Sequence, residues 1–457
     1  MKISDINTKT LPKDFVWGVA TSSYQIEGGF ESGDRGRCIW DDFCDQPGAI
    51  SDGTRGGIGI DHIKRFKEDI GIMELMGIDS YRFSFSWPRV QKGGSSDFNL
   101  KGLEFYDSLI DSLLEKNITP NATLYHWDLP SELQAAGGWT NPKTTDLFGE
   151  YAAFLAKRFG DRIKFWAPIN EPWCVTYLGN TIGHHAPGLR DLTATVKVAH
   201  QLVRAHALAA QAIKANSDGA KVGPVLNLAD QVFTGEITPE IENDLNLVSG
   251  MVNNWWLQGM LNGKYPENVL DNFEKLTGIR PNEDEIPDTK YGRDWVGLNY
   301  YNAQIFQAGE GLEIFPGTKY LGGAWLGDEK TDIGWPWTPE GIRKTLHIIN
   351  DFSPNIPIYV TENGACYNTN LDSNGHVYDS KREAYLARYI NEVVKAKNEG
   401  VNLKGYYSWS LLDNFEWAFG YEMRFGMVHV NYENYARTLK QSGHEYSNLI
   451  KRHKNGS

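Results

Sequence analysis

Short apolar runs and amphipathic stretches alternate along most of this chain, regularly enough to set the fold class. Eight runs read as strands: Phe15 to Ala20, Ser80 to Ser84, Thr119 to Tyr125, Phe165 to Ile169, Lys221 to Leu226, Trp295 to Asn299, Ile358 to Thr361 and Gly405 to Ser408. Between them lie segments such as TDLFGEYAAFLAKRFG and KREAYLARYINEVVKAKNEG, whose apolar residues recur near helical spacing. A strand followed by an amphipathic helix is the mark of a parallel βα unit. Eight such units predict a closed (β/α)8 TIM barrel. No Ser/Gly-rich or Pro-rich linker, low-complexity tract or repeat divides the 457 residues. We therefore expect one domain over residues 1–457, with its core at about 11–440 and long βα loops.

In such a barrel the chemistry gathers where the strands end, because side chains from separate strands converge on one mouth. Those ends carry Gln25, Arg82, His126 with Trp127, Asn170 with Glu171, Asn299 with Tyr301, Glu362, and Trp409. Folding alone does not explain polar and aromatic residues recurring at one end of successive strands.

Composition narrows the partners. A hydrophobic content of 41% with 23% charged residues suits a globular chain with a large core. The net charge of −13 argues against nucleic acid and against an anionic membrane, both of which would require a basic face. The opening MKISDINTKTLPKDF holds no apolar run for a secretory signal or a membrane span, so a cytoplasmic location is expected. Cys38, Cys44, Cys174 and Cys366 lack CxxC spacing and read as buried free thiols, not as a disulfide scaffold or zinc site. The 15 Trp and 22 Tyr exceed what core filling requires. Most of them pack the core, but such rings also stack on the apolar faces of sugars, which suggests a carbohydrate ligand.

Two of the strand ends are acidic. The fourth predicted strand runs into N-E-P, placing Asn170 and Glu171; the seventh runs into T-E-N-G, placing Glu362. A lone glutamate after a strand more often caps the following helix. Two of them at one mouth, flanked by Asn and aromatics, are what cleavage of a glycosidic bond requires. One carboxylic acid protonates the leaving oxygen and a second carboxylate meets the developing oxocarbenium ion, with no metal or cofactor.

At these residues the chain resembles the family 1 glycoside hydrolases, the β-glucosidase family, from about Leu11 to Lys440. The matching segments are FVWGVATSSYQIEGG, SYRFSFSWPRV, TLYHWDLP, KFWAPINEPW, VGLNYY, PIYVTENG, GYYSWSLLDNFEW and RFGMVHVNY, in family order. The resemblance implies a retaining double displacement without cofactor or metal, with Glu171 as acid/base and Glu362 as nucleophile. It implies that Asn170 holds the 2-hydroxyl, Tyr301 bonds the nucleophile and Arg82 keeps it ionised. Gln25, His126, Glu416 and Trp417 would grip the outer hydroxyls, with Trp127 in the same set, Trp409 as the platform beneath the ring and Asn299 steadying the network. Trp173, Trp335 and either Trp325 or Trp337 are candidates for the aglycone entrance. The proton affinity of Glu171 should start raised, by burial and the Glu362 charge, and fall once Glu362 is esterified.

Members acting on 6-phosphosugars typically carry a Ser-Lys pair after the last strand; this chain has Glu422 and Met423 there and keeps Glu416. An unphosphorylated sugar is expected: a β-glucoside or a short oligosaccharide such as cellobiose, with β-galactosides and β-fucosides as side substrates. Phe419 stands where many relatives have a polar residue, and GWPWTPEG is rich in Trp, a hint of an aromatic or oligosaccharide leaving group. The alternatives are a carbohydrate-binding barrel without the chemistry and a transglycosidase.

Overall fold

The computed structural model describes residues 1–95, 97–311, 317–321 and 329–456. Its barrel strands are β1 (Val16–Ala20), β2 (Ser80–Ser84), β3 (Thr119–Tyr125), β4 (Phe165–Ile169), β5 (Lys221–Val222 and Val225–Leu226), β6 (Val296–Asn299), β7 (Ile358–Asn363) and β8 (Leu403–Trp409). All barrel pairings are parallel, and β8 pairs with β1 from Val16 against Gly405 to Ala20 against Trp409.

The fifth strand, expected to be continuous, is broken at Gly223 and Pro224. A Cβ on Gly223 would overlap the Trp295 backbone and indole, and Pro224 has no N–H to give a ladder. The break lets one strand serve two neighbours. Lys221 and Val222 pair with Phe165 and Trp166 of β4, whereas Val225 and Leu226 pair with Gly297 and Leu298 of β6. The order β5-β4-β3-β2-β1-β8-β7-β6 thus returns to the second half of β5, and the sheet closes on itself.

Helices cover the outside, and their ends follow local chemistry. Pro142–Phe159 starts with proline at its first position behind Asn141, whose side chain accepts from the Lys143 N–H; it stops at Gly160. Leu192–Asn216 is capped by Asp191, which accepts from the N–H groups of Thr193 and Ala194. The helical segments expected from spacing are present. Further helices at Trp255–Asn262, Glu267–Thr277, Pro339–Phe352 and Gln441–Asn455 complete the outer layer. Among the described residues no helix is long and apolar enough to cross a membrane.

Two smaller sheets shape the mouth. Gln231–Thr234, Gln304–Ala308 and Thr318–Tyr320 form one beyond β5 and β6; Val428–Val430 and Arg437–Leu439 form the other after β8. The loop leaving β8 is anchored by buried Asp413, which accepts from Arg424 Nη1 at 2.8 Å, Lys440 Nζ at 2.7 Å and the Gly426 N–H at 2.9 Å. An unpaired buried carboxylate would be costly, so this pairing holds the loop in one arrangement. That loop carries Glu416 and Trp417.

Candidate active site

The strand ends meet in a cavity of about 450 Å³. Glu171 follows β4 in the left-handed region (φ +47°), its N–H bonded to the Val225 carbonyl at 3.0 Å. Trp127 (φ +77°) and Trp417 (φ +47°) share this uncommon conformation at the same mouth. Strain held at three neighbouring positions is typical of a site whose side chains must be aimed. The Trp127 indole ties into the same turn by donating to the Asn170 carbonyl at 2.9 Å.

Glu362 and Glu171 are 3% and 5% exposed, and their surroundings differ in charge. Glu362 accepts from Arg82 Nη1 at 2.6 Å on Oε1 and from the Tyr301 hydroxyl at 2.7 Å on Oε2. Burial pushes its carboxyl up, and the Arg82 cation with these donors opposes the push. Glu171 accepts from Asn299 Nδ2 at 2.7 Å on Oε1 and from Cys174 Sγ at 3.0 Å on Oε2; among the described residues no cation bonds it, and the Arg82 charge acts on it only through space. Burial first, and then the Glu362 charge, raise it to about 7. A proton added to the pair therefore resides on Glu171.

Behind the carboxyl groups a single network sets every orientation. Thr361 donates to Asn299 Oδ1 at 2.7 Å, which turns the Asn299 amide nitrogen toward Glu171 and toward Asn170 Oδ1 at 3.1 Å. Arg82 Nη2 donates to Asn170 Oδ1 at 2.6 Å, leaving the Asn170 amide nitrogen to donate to His126 Nε2 at 3.1 Å. Burial and the nearby Arg82 charge keep His126 neutral, so its proton sits on Nδ1, which is buried without a partner among the described residues. This is a donor with nothing yet to bond.

Glu416 completes the polar end: burial, Glu362 and Glu171 push it up to about 8. The aromatic floor and wall are Trp409, whose ring stacks with His126 at 5.8 Å, and Trp417, which lies 4.6 Å from Trp127 and stacks on Tyr24 at 6.1 Å. Trp335 packs against Tyr301 and Phe425. Beyond Glu171 the cavity turns apolar, between Leu178, Leu228, Val248, Met251, Val252 and Phe306.

The structure thus brings Glu171, Glu362, His126, Trp127, Asn299, Tyr301, Trp335, Trp409, Glu416 and Trp417 to one surface, with Trp173 and Phe419 at its edge. Three expected positions differ. Arg82 is the middle residue of β2, not its end, and like Asn170 it lies behind the carboxyl groups. Gln25 does not line the cavity; it accepts from Ser22 and donates to Asn414 Oδ1 and the Phe415 carbonyl, bracing the loop that carries Glu416. Trp337 packs against Tyr385 and Arg388 away from the cavity, and Trp325 lies outside the described residues. Sequence reasoning passed over Cys174, Thr361 and Phe425. Cys174 had only a local signal: it lies three positions after Glu171, in the turn whose N–H bonds back to the Glu171 carbonyl.

A family model described as glycosyl hydrolase family 1 matches residues 7–455. The chain is 42% identical to "Beta-glucosidase A" of Acetivibrio thermocellus, over 97% of this chain and 98% of that one. It is also 42% identical to "Beta-glucosidase A" of Thermotoga maritima, over 98% and 99%. Among solved structures, the family 1 β-glucosidase from Thermotoga maritima superposes with a TM-score of 0.90 at 40% identity, covering 97% of this chain and 99% of that one. The same enzyme in complex with glucoimidazole superposes at 0.91, with the same identity and coverage.

Proposed function

The chain belongs to glycosyl hydrolase family 1, and we propose that it is a β-glucosidase releasing terminal glucose from β-glucosides by double displacement with net retention. The observation that carries this is the asymmetry between the two glutamates: a cation and a phenol hold Glu362, while an amide and a thiol hold Glu171, which is raised to about 7.

Glu362, ionised beside Arg82, attacks the anomeric carbon as Glu171 gives its proton to the leaving oxygen. The bond to the leaving group breaks and a glycosyl ester forms on Glu362. Glu171, now a carboxylate, takes a proton from water, whose oxygen displaces Glu362 and restores the original configuration. One chain of bonds, from Glu362 through Arg82, Asn170 and Asn299 to Glu171, ties the two carboxyl groups together, and the Glu362 charge raises Glu171. Such closeness supports retention, which needs carboxyl groups about 5 Å apart, over inversion, which leaves room for a water between them.

His126 Nδ1–H and Glu416 are polar groups available to the sugar hydroxyls, and Trp409 is the face for its apolar side. Among the described residues no lysine or arginine lines the cavity, and Met423 packs with Trp409 and Phe425. Both facts support an unphosphorylated sugar over a 6-phosphosugar. Cellobiose and aryl glucosides fit this reading, with β-galactosides and β-fucosides as side substrates, because galactosides differ from glucosides only in the orientation of O4, and fucosides in that orientation and the missing O6. We read the chain as acting through one catalytic domain.

The test is azide rescue on an aryl β-glucoside. Glu171→Ala should lose activity most on poor leaving groups and yield a β-glucosyl azide. Glu362→Ala should yield the α-azide. Equal loss across leaving groups, or a β-azide from the Glu362 variant, would void the assignments.

A further inference from the structure

Two neighbours of the Glu171 carboxyl have no role in the mechanism above. Cys174 opens the π-helical segment Cys174–Thr181, and its N–H bonds the Glu171 carbonyl at 3.0 Å. This local turn folds the thiol back onto the carboxyl, with Sγ 3.0 Å from Oε2. Asn227, just beyond β5, donates from Nδ2 to the same sulfur at 3.5 Å. The opposite oxygen, Oε1, is occupied by Asn299. Each oxygen of Glu171 therefore has one donor held on a separate element, and both Cys174 and Asn227 face the cavity.

We infer that Cys174, oriented by Asn227, is a positioning residue that fixes the Glu171 carboxyl and favours the ionised form needed to activate water in the second displacement. The inference rests on the reading of Glu171 as acid/base. Its direction follows from donor counting. A thiol has one proton and a weakly accepting sulfur; with Asn227 donating to the sulfur, the proton is free for Oε2. A donor to a carboxylate stabilises the charged form. Burial and the Glu171 charge push the thiol well above its ordinary value, so it stays protonated and acts as a donor, not as a nucleophile. A thiol that merely fills space would instead be replaceable by any side chain of its size.

The experiment compares pH profiles of wild type, Cys174→Ser, Cys174→Ala and Cys174→Val on two aryl β-glucosides, one limited by glycosylation and one by deglycosylation. Removing the donor in Cys174→Ala should move the alkaline limb of kcat/KM up by roughly half a pH unit. It should also lower kcat roughly three- to tenfold on the substrate limited by deglycosylation, with a smaller effect on the other. Cys174→Ser should restore both, and Cys174→Val should behave like Cys174→Ala although it fills the space. Should the alanine variant fail to fold, the serine and valine pair carries the same comparison. Profiles that keep their limbs in every variant, or valine performing as well as serine, would overturn the inference. Azide rescue of Glu171→Ala is run alongside: rescue with unmoved limbs defeats the Cys174 inference alone, while failed rescue defeats it together with the acid/base reading beneath it.

Discussion

Replacing Glu362 by Gln removes one negative charge beside Glu171 and leaves the cavity shape almost unchanged, which isolates an electrostatic claim central to the mechanism. Glu171 stands at about 7 in the free protein, raised by burial and by Glu362. Two unit charges ~5 Å apart at an effective dielectric constant of ~20 interact by ~3 kcal/mol. That is equivalent to ~2 pH units in the Glu171 titration. Burial is untouched by the substitution, and Arg82, left without its carboxylate, pulls in the same direction. Glu171 in Glu362→Gln should therefore titrate well below its position in the wild type. The variant imitates the charge state of the proposed glycosyl ester, so under the proposed mechanism the same fall would turn the acid of the first step into the base of the second. Carbon-13 NMR of labelled glutamate, assigned by difference against Glu171→Gln, would read the midpoint directly. A midpoint that moves by less than half a unit would refute the claim that Glu362 drives the change of role.

Other consequences are simpler to measure. Tyr301→Phe deletes the hydroxyl that donates to Glu362 Oε2 at 2.7 Å; a hydrogen bond to a charged group is worth about 2 kcal/mol, so kcat/KM should fall roughly tenfold to a hundredfold. Less than a threefold loss would contradict the contact. Glu416 and Glu171 have folded values above their ordinary ones, about 8 and about 7. Their contribution to stability is therefore complete below the ordinary carboxylate range and is lost as pH rises through those values. Melting temperature without ligand should fall between pH 5 and pH 8, and calorimetry of Glu416→Gln should show a shallower fall; an unchanged slope would count against the raised value. A Cβ at Gly364 would overlap the carbonyl oxygen of Trp409, so Gly364→Ala should weaken glucoside binding or stability through the displaced platform. Wild-type KM together with wild-type melting would show that the platform yields freely.

Much of the barrel was legible because its signals are local. An apolar run of five to seven residues followed by helical spacing marks a βα unit wherever it occurs, and Ser80–Ser84, Thr119–Tyr125 and Phe165–Ile169 came through with their bounds intact. The residue types at the strand ends announced carboxylate chemistry for the same reason, since N-E-P and T-E-N-G each lie within a few residues. Chain order, however, does not specify direction across a mouth. The closure of the sheet depends on how a strand broken at Gly223 and Pro224 divides its hydrogen bonds between β4 and β6, which is a matter of three strands meeting. Gln25 shows the same limit: the resemblance implied a hydroxyl contact, but only the structure shows its amide bonded to Ser22, Asn414 and Phe415, next to the loop residue Glu416.

The sequence by itself determined the eight βα units, the two glutamates and the aromatic company they keep, because these are properties of short segments and of residue chemistry. The resemblance implied which glutamate holds the proton, but the physical reason lies in the tertiary structure alone. Arg82 reaches Glu362 across 280 positions of chain, and Asn299 reaches Glu171 across 128. Proton affinity is set by the charges and donors within a few ångströms and by the exclusion of water, and in this chain those neighbours come from strands far apart in sequence.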